Sequence, residues 1–394
     1  MSADTPHDLI IFGEDWGSLP SSTQHLAGYL ARQRKIVWIN SIGLRRPRIC
    51  LRDIKRAIKK LSGKILSDNK ELGTRASITV RQDSSDESHG GIHVIYPRTL
   101  PAPRSRLGRW IAARLLVSQI LPVLRKEKIR SPILWTSLPT AVDVSGRLGE
   151  SALVYYCGDD FSALAGVDHD TVAAREQELV EKADLIFYSS ANLSTKFPPL
   201  RSHLLPHGVD YSLFTTPAPR APDLPDDGRP VAGFYGSIST WLDIELLRET
   251  IRQLPNWHFV FIGKVEVDIS GLAALDNVLL LGERPHHLLP SYSQHWTASL
   301  LPFLNNAQIR ACNPLKLSEY LAAGRPVIST AFPAIQHLRG LVQIASSSDA
   351  TCEALTASEF LKDLPAFPGA LRKTVARSSW SARANQVDEW MEAL

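Results

Sequence analysis

Short, continuously apolar runs recur along the chain, separated by stretches long enough for helices. The first half carries D-L-I-I-F-G at 8–13, K-I-V-W-I-N at 35–40 and further runs at 92–96, 132–136, 152–157 and 184–189. Each is too short for a helix, and none alternates apolar with polar residues. That is the pattern of a parallel strand covered on both faces. The second half repeats it near 231–235, 258–262, 278–281, 298–302, 326–329 and 341–345. Strands spaced by helical segments predict doubly wound α/β domains. Between the halves lies T-T-P-A-P-R-A-P-D-L-P-D-D-G-R-P, proline-rich and without apolar pattern, which reads as a linker. The expected architecture is two Rossmann-like domains, 1–215 and 231–375, joined by 216–230 and followed by a helix at 376–394. A chain of 394 residues is long enough for each to bury its own core.

The most informative local stretch is A-C-N-P-L-K-L-S-E-Y-L-A-A-G-R-P-V-I-S-T, Ala311 to Thr330. It reads as a helix marked at both ends. Asn313 suits the N-cap and Pro314 the first helical position, while Gly324 suits a left-handed cap and Pro326 blocks continuation. A helix start offers unpaired N–H groups and the positive end of a dipole, an anion site. Lys316 in the first turn adds a full charge for a phosphate. Glu319 lies three residues on and leaves the same face; a carboxylate there accepts two hydrogen bonds from a ribose diol. Spacing alone leaves two readings open, a nucleoside diphosphate site and a capped helix with a surface Lys–Glu pair.

The stretch N-P-L-K-L-S-E-Y-L-A-A-G-R-P-V-I-S-T resembles the donor-nucleotide motif of GT-B glycosyltransferases of the broad family-4 group. It is most similar to bacterial enzymes of exopolysaccharide, capsule or teichuronic-type polymers. The resemblance implies two Rossmann-like domains facing a cleft, with the terminal helix crossing back onto the first. Many members of the wider group carry two glutamates seven residues apart. Here Glu319 matches the second, but Ala311 stands at the first, which leaves retaining or inverting stereochemistry open. G-F-Y-G-S-I-S-T-W-L-D resembles the family's opening donor loop, so Gly236 and Ser237 are expected beside the diphosphate or donor sugar, where glycine permits close backbone approach. Arg284, after the third strand of that half, and Arg310, before the Lys316 helix, are further candidate donor contacts.

The run Ala152–Tyr156 ends in C-G-D-D-F-S, which sets Asp159 and Asp160 at the carboxyl end of a strand. A cleft carboxylate serves as general base for an acceptor hydroxyl, and the family pattern matches Asp159 best; equally, one of the two caps the next helix. The loop after the first strand has the wrong glycine spacing for a dinucleotide fingerprint, and Glu14 and Asp15 would repel a phosphate. The family places this loop on the acceptor side of the cleft, with His207 of H-G-V-D also within reach. Asp168-His169-Asp170 is a D-x-D, but helix capping explains it better than metal binding. No metal or other cofactor is expected, the nucleotide-sugar being a substrate.

Charge is distributed unevenly. Residues 1–150 have a balance of +12 and the remainder −8. Within R-R-P-R-I-C-L-R-D-I-K-R-A-I-K-K-L-S-G-K at 45–64, Leu51, Ile54, Ile58 and Leu61 recur at helical spacing. Arg52, Lys55, Arg56, Lys59 and Lys60 take the other face, the pattern of a helix lying on anionic lipid. A helix docked on its own domain with a solvated basic face has the same pattern. Arg104, Arg106 and Arg109 add to the same half, and no nucleic-acid motif accompanies the charge. Residues 83–91 read as a polar loop. The four cysteines form no metal or redox spacing. No leader-like segment precedes the first strand, and the longest apolar stretch, Ile111–Leu124, is short and interrupted by Arg114, Gln119 and Pro122.

Together these features set the expectation of a cytoplasmic enzyme held at the inner face of the membrane. It would move a sugar from a nucleoside-diphosphate donor, UDP-sugar favoured, to a hydroxyl of a lipid-linked glycan. The alternatives are a nucleotide-sugar epimerase of the same fold and a non-catalytic scaffold subunit, the latter supported by Ala311.

Overall fold

The computed structural model describes residues 6–17, 21–42, 87–89, 91–100, 103–161, 168–361, 364 and 367–394. The basic segment with Arg52, Lys55, Arg56, Lys59 and Lys60 lies outside the described residues. Two sheets organise the rest. The first contains β1 (Leu9–Phe12), β2 (Ile36–Ile39), β3 (Glu87–His89), β4 (Ile92–Ile95), β5 (Ile133–Thr136), β6 (Ala152–Cys157), β7 (Leu185–Tyr188) and β8 (Ser202–Leu204), in the order β3-β4-β2-β1-β5-β6-β7-β8. β1 pairs in parallel on both sides, Leu9 opposite Ile36 and Ile133. Its four residues, like those of β2 and β5, are fully buried. That is why these segments carry no polar alternation.

β3 corrects the reading of 83–91 as a loop: Glu87–His89 pairs antiparallel with β4 at the sheet edge. An edge strand needs no apolar run, so none marks it in the sequence. The D-x-D is a helix start, because the Asp168 side chain accepts from the Thr171 N–H and caps His169–Lys182.

The second sheet is parallel throughout: β9 (Val231–Tyr235), β10 (His258–Ile262), β11 (Val278–Gly282), β12 (Ala298–Leu301), β13 (Val327–Ser329) and β14 (Val342–Ile344), ordered β11-β10-β9-β12-β13-β14. The chain moves outward from β9 to β11, then returns to the other side of β9 with β12. Both sheets are therefore doubly wound. Their direction reverses beside β1 and beside β9, the switch points outside whose carboxyl ends ligands bind in such sheets.

Two compact units result, one of Met1–Cys157, Leu164–Phe187 and Trp390–Leu394, the other of Gly158–Ala163 and Tyr188–Glu389. Residues 188–215 and Gly158, Asp159 and Asp160 cluster with the second unit, while β8 within that stretch still belongs to the first sheet. The proline-rich 216–230 stretch is bound to the second unit as well. Ala221 and Leu224 are buried in its core, and the Gln294 amide donates to the Phe214 and Thr216 carbonyls. The terminal helix is Trp380–Met391; within the first unit, the Trp390 and Phe187 rings lie 5.4 Å apart, tilted at 36°.

The core around β9 leaves no room for a side chain at Gly233, where a Cβ would lie 1.7 Å from the Trp296 ring. Trp296 is itself fixed by its indole N–H on Ser299 Oγ and by rings of Tyr235 and Tyr320. Overpacking of this kind costs about 1–3 kcal/mol. Gly233→Ala is therefore expected to lower the urea midpoint of unfolding; an unchanged midpoint would show that the core yields.

Candidate functional site

The carboxyl end of β9 runs into Gly236, whose φ of +127° excludes most side chains. A Cβ there would lie 2.0 Å from Lys316 Cε and 2.7 Å from its Nζ. The absent side chain is thus the space that the lysine occupies. Gly263, after β10, is equally constrained: a Cβ would meet the Gly236 carbonyl oxygen at 2.1 Å. Two glycines allow two strand ends to lie against each other, with the lysine across them. Ser237 follows in the same turn, half-buried.

Lys316 sits in the first turn of the helix Leu315–Ala323. The helix closes at Gly324 in the left-handed region, φ 82°, as the sequence indicates. Its start differs from expectation. Pro314 is the N-cap residue and no side chain caps the helix. Asn313 donates instead from Nδ2 to the Ser189 carbonyl at 3.1 Å. The first-turn N–H groups thus lack a side-chain acceptor, which favours an anion at this end. The Lys316 ammonium lies 5.9 Å from the centre of the Phe234 ring and has no salt-bridge partner among the described residues. Burial lowers its pKa, against the charges of Cys312 and Glu319.

Glu319, one turn deeper, is 3 % exposed. Oε2 accepts from the Tyr235 hydroxyl at 2.8 Å, and Oε1 is 2.7 Å from His286 Nε2. The Tyr320 hydroxyl accepts from the Tyr235 N–H at 3.0 Å. One carboxylate therefore joins β9, the turn after β11 and the helix. His286 was not foreseen from the sequence, where it is one of two histidines in an unpatterned loop. Burial disfavours its charge, but the hydrogen bond and charge of Glu319, with Asp210 beyond, hold its pKa above the usual histidine value. The edge of the Phe214 ring closes the remaining side.

Asp159 is exposed in the same unit and close enough to Cys312 to act on it. Burial, then the Asp159 charge, pushes the Cys312 thiol up to about 12, against the opposing effect of Lys316. Asp159, Cys312, Lys316, Glu319 and Gly236 thus share one neighbourhood. Asp160 is committed elsewhere, 3.0 Å from Lys196 Nζ.

Other candidates have different partners. Arg284 is tied to Asp223 at 2.8 Å and to the Tyr292 hydroxyl at 3.0 Å. The Arg310 side chain is exposed and donates to the Asn305 carbonyl at 3.0 Å. His207 lies beside Arg383, and burial with that charge lowers its pKa to about 4, so the ring is neutral at pH 7. Glu14 accepts from Ser21 Oγ at 2.8 Å and Asp15 from the Ser41 N–H at 3.1 Å, both knitting the loop after β1. Arg109 of the first unit is paired with Asp143 and Glu178, and Arg104 with Asp168.

Two outcomes are expected from this geometry. Gly236→Ala displaces the Lys316 ammonium and strains the backbone, costing about 1–3 kcal/mol in urea unfolding; a variant as stable as the wild type would show that the turn relaxes. The His286–Glu319 pair contributes stability that is fully present below the unfolded histidine pKa and lost as pH rises through the raised folded value. His286→Gln should accordingly cost about 1–2 kcal/mol at pH 5.5 and less at pH 8.5. A difference independent of pH would assign the loss to packing rather than charge.

A family profile described as glycosyl transferases group 1 matches residues 229–357. The chain is 28% identical over 227 residues to the teichuronic acid biosynthesis glycosyltransferase TuaH of Bacillus subtilis (strain 168). That match covers 52% of this chain, which spans 57% of its relative's length. Sucrose-phosphate synthase from Thermosynechococcus elongatus superposes with a TM-score of 0.67 at 17% identity, over 98% of each chain. Anabaena HepE in complex with UDP-glucose does so with a TM-score of 0.64 at 13% identity, over 98% of this chain and 100% of the other. Residues 229–357 therefore match the glycosyl transferases group 1 profile, on a chain with the two-sheet GT-B fold.

Proposed function

We propose that this chain is a glycosyltransferase that moves a sugar from a nucleoside-diphosphate donor to an acceptor hydroxyl. The observation that carries the reading is Lys316. It is a part-buried ammonium with no salt-bridge partner among the described residues, at an uncapped helix start, pressed on a glycine at the switch point of β9. A desolvated cation in that position is costly without an anion, and a diphosphate supplies one. As the sugar–phosphate bond breaks, negative charge grows on the leaving diphosphate. The Lys316 ammonium and the helix N–H groups stabilise it electrostatically, a role that needs no metal.

Glu319 holds the ribose diol through the acceptor sites left on its oxygens, with Tyr235 and His286 fixing its orientation. Gly236 and Ser237 let the backbone approach the diphosphate. Asp159 takes the acceptor proton in an inverting transfer; Asp160, already paired with Lys196, is the weaker candidate. UDP is the favoured carrier, in line with the UDP-glucose complex of the structurally similar HepE. The acceptor is proposed to be a lipid-linked glycan of a surface polymer, in line with the likeness to TuaH and the basic first half.

Calorimetric titration with UDP, GDP and ADP tests the donor site. One nucleotide, expected to be UDP, should bind, and Lys316→Ala and Glu319→Ala should each weaken it about ten-fold or more. If no nucleotide binds, or neither substitution matters, the assignment fails, and the non-catalytic scaffold reading suggested by Ala311 takes its place.

A further inference from the structure

The helix Arg106–Glu127 of the first unit has two faces of different kinds. Ala112, Ala113, Leu116, Ile120 and Leu124 are buried in the unit. On the opposite face Leu107 is 67 % exposed, Trp110 46 %, Ile111 37 % and Leu115 40 %. Their spacing of three and four residues makes them one stripe. A soluble surface rarely leaves four large apolar side chains contiguous unless something covers them.

The helix's own charges beside the stripe are all of one sign. R-L-G-R-W-I-A-A-R-L-L-V-S-Q-I-L-P-V-L-R-K contains no acidic residue before Glu127. Arg109 is neutralised by Asp143 and Glu178, but Arg106, Arg114, Arg125 and Lys126 all lie on the exposed side. The Arg114 guanidinium stacks 4.8 Å over the Trp110 ring. An amphipathic indole with a cation over it suits the boundary between headgroups and acyl chains.

Length and composition alone would let this helix cross a bilayer. Its packed face and the Arg109 ion pairs hold it on the unit, so it lies along a surface. We propose that this stripe is a docking face for an anionic lipid surface. Leu107, Trp110, Ile111 and Leu115 enter the acyl boundary and Arg106 and Arg114 meet the headgroups. The proposal deepens the lipid-acceptor part of the functional reading and does not depend on the basic segment at 45–64.

The test is co-sedimentation of the full chain with vesicles of phosphatidylglycerol and phosphatidylcholine, and with phosphatidylcholine alone, without nucleotide. The wild type should partition onto the anionic vesicles, more weakly as salt rises. The triple variant Leu107→Ser, Trp110→Ser, Leu115→Ser should lose about ten-fold or more of that partition, as should Arg106→Glu with Arg114→Glu. Unchanged circular dichroism and urea midpoint show that the variants remain folded, and UDP titration, which reads the second unit, separates this proposal from the donor-site reading. Variants that bind vesicles like the wild type overturn it. So does a wild type that ignores anionic vesicles, or one that dimerises in solution through this stripe, which would make a second copy the occupant.

Discussion

The buried carboxylate of Glu319 ties together three elements that the chain order keeps far apart. Its partners come from β9 at Tyr235 and from the turn after β11 at His286, while the carboxylate itself rides on the Leu315–Ala323 helix. A carboxylate at 3 % exposure is tolerable only because each oxygen has a donor. The consequence is positional: the same turn of helix that offers Glu319 presents Lys316 to Gly236. Anything that loosens the Tyr235 or His286 contact also loosens the lysine. The aromatic packing of Tyr235 with Tyr320 at 4.7 Å and Trp296 at 6.0 Å makes that arrangement stiff.

Much of this fold is legible from the sequence, for a physical reason. A parallel strand buried on both faces must be apolar at every position, so β1, β2, β5, β6, β9 and β10 announce themselves. Edge strands carry no such obligation. β3 and β8 read as polar segments, and both lie at sheet edges. Glycine positions were also legible: Gly236 and Gly324 both adopt positive φ, as a turn and a helix cap require.

The side-chain partnerships were less so, because they depend on residues remote in sequence. Asn313 looks like a cap, but the Ser189 carbonyl, 124 positions away, takes its amide. Nothing near Arg284 in the sequence points to Asp223, 61 positions away, as its partner. His286 has no local signal at all, since its partner lies 33 residues downstream. The linker read as featureless because its anchoring, through Ala221, Leu224 and the Gln294 amide, is tertiary.

Lys316 differs in kind from the paired arginines among the described residues. Arg104, Arg109 and Arg284 each have carboxylates in place and stabilise local structure. Lys316 is the reverse case. Its neighbours are the Phe234 ring, a glycine and an uncapped helix start, with Glu319 turned towards Tyr235 and His286. Burial lowers its pKa and so disfavours the charge it carries. A polyanion at this end would offset that cost and satisfy the helix N–H groups at once. In the proposed transfer, binding energy would be concentrated where the leaving group develops charge, so ligand and transition state would draw on the same two features. Glu319 is held by hydroxyl and imidazole rather than by the lysine, which leaves the ammonium to the proposed phosphate. Had the helix presented a carboxylate within reach of Lys316, the pair would have stabilised the empty protein at the expense of the bound one.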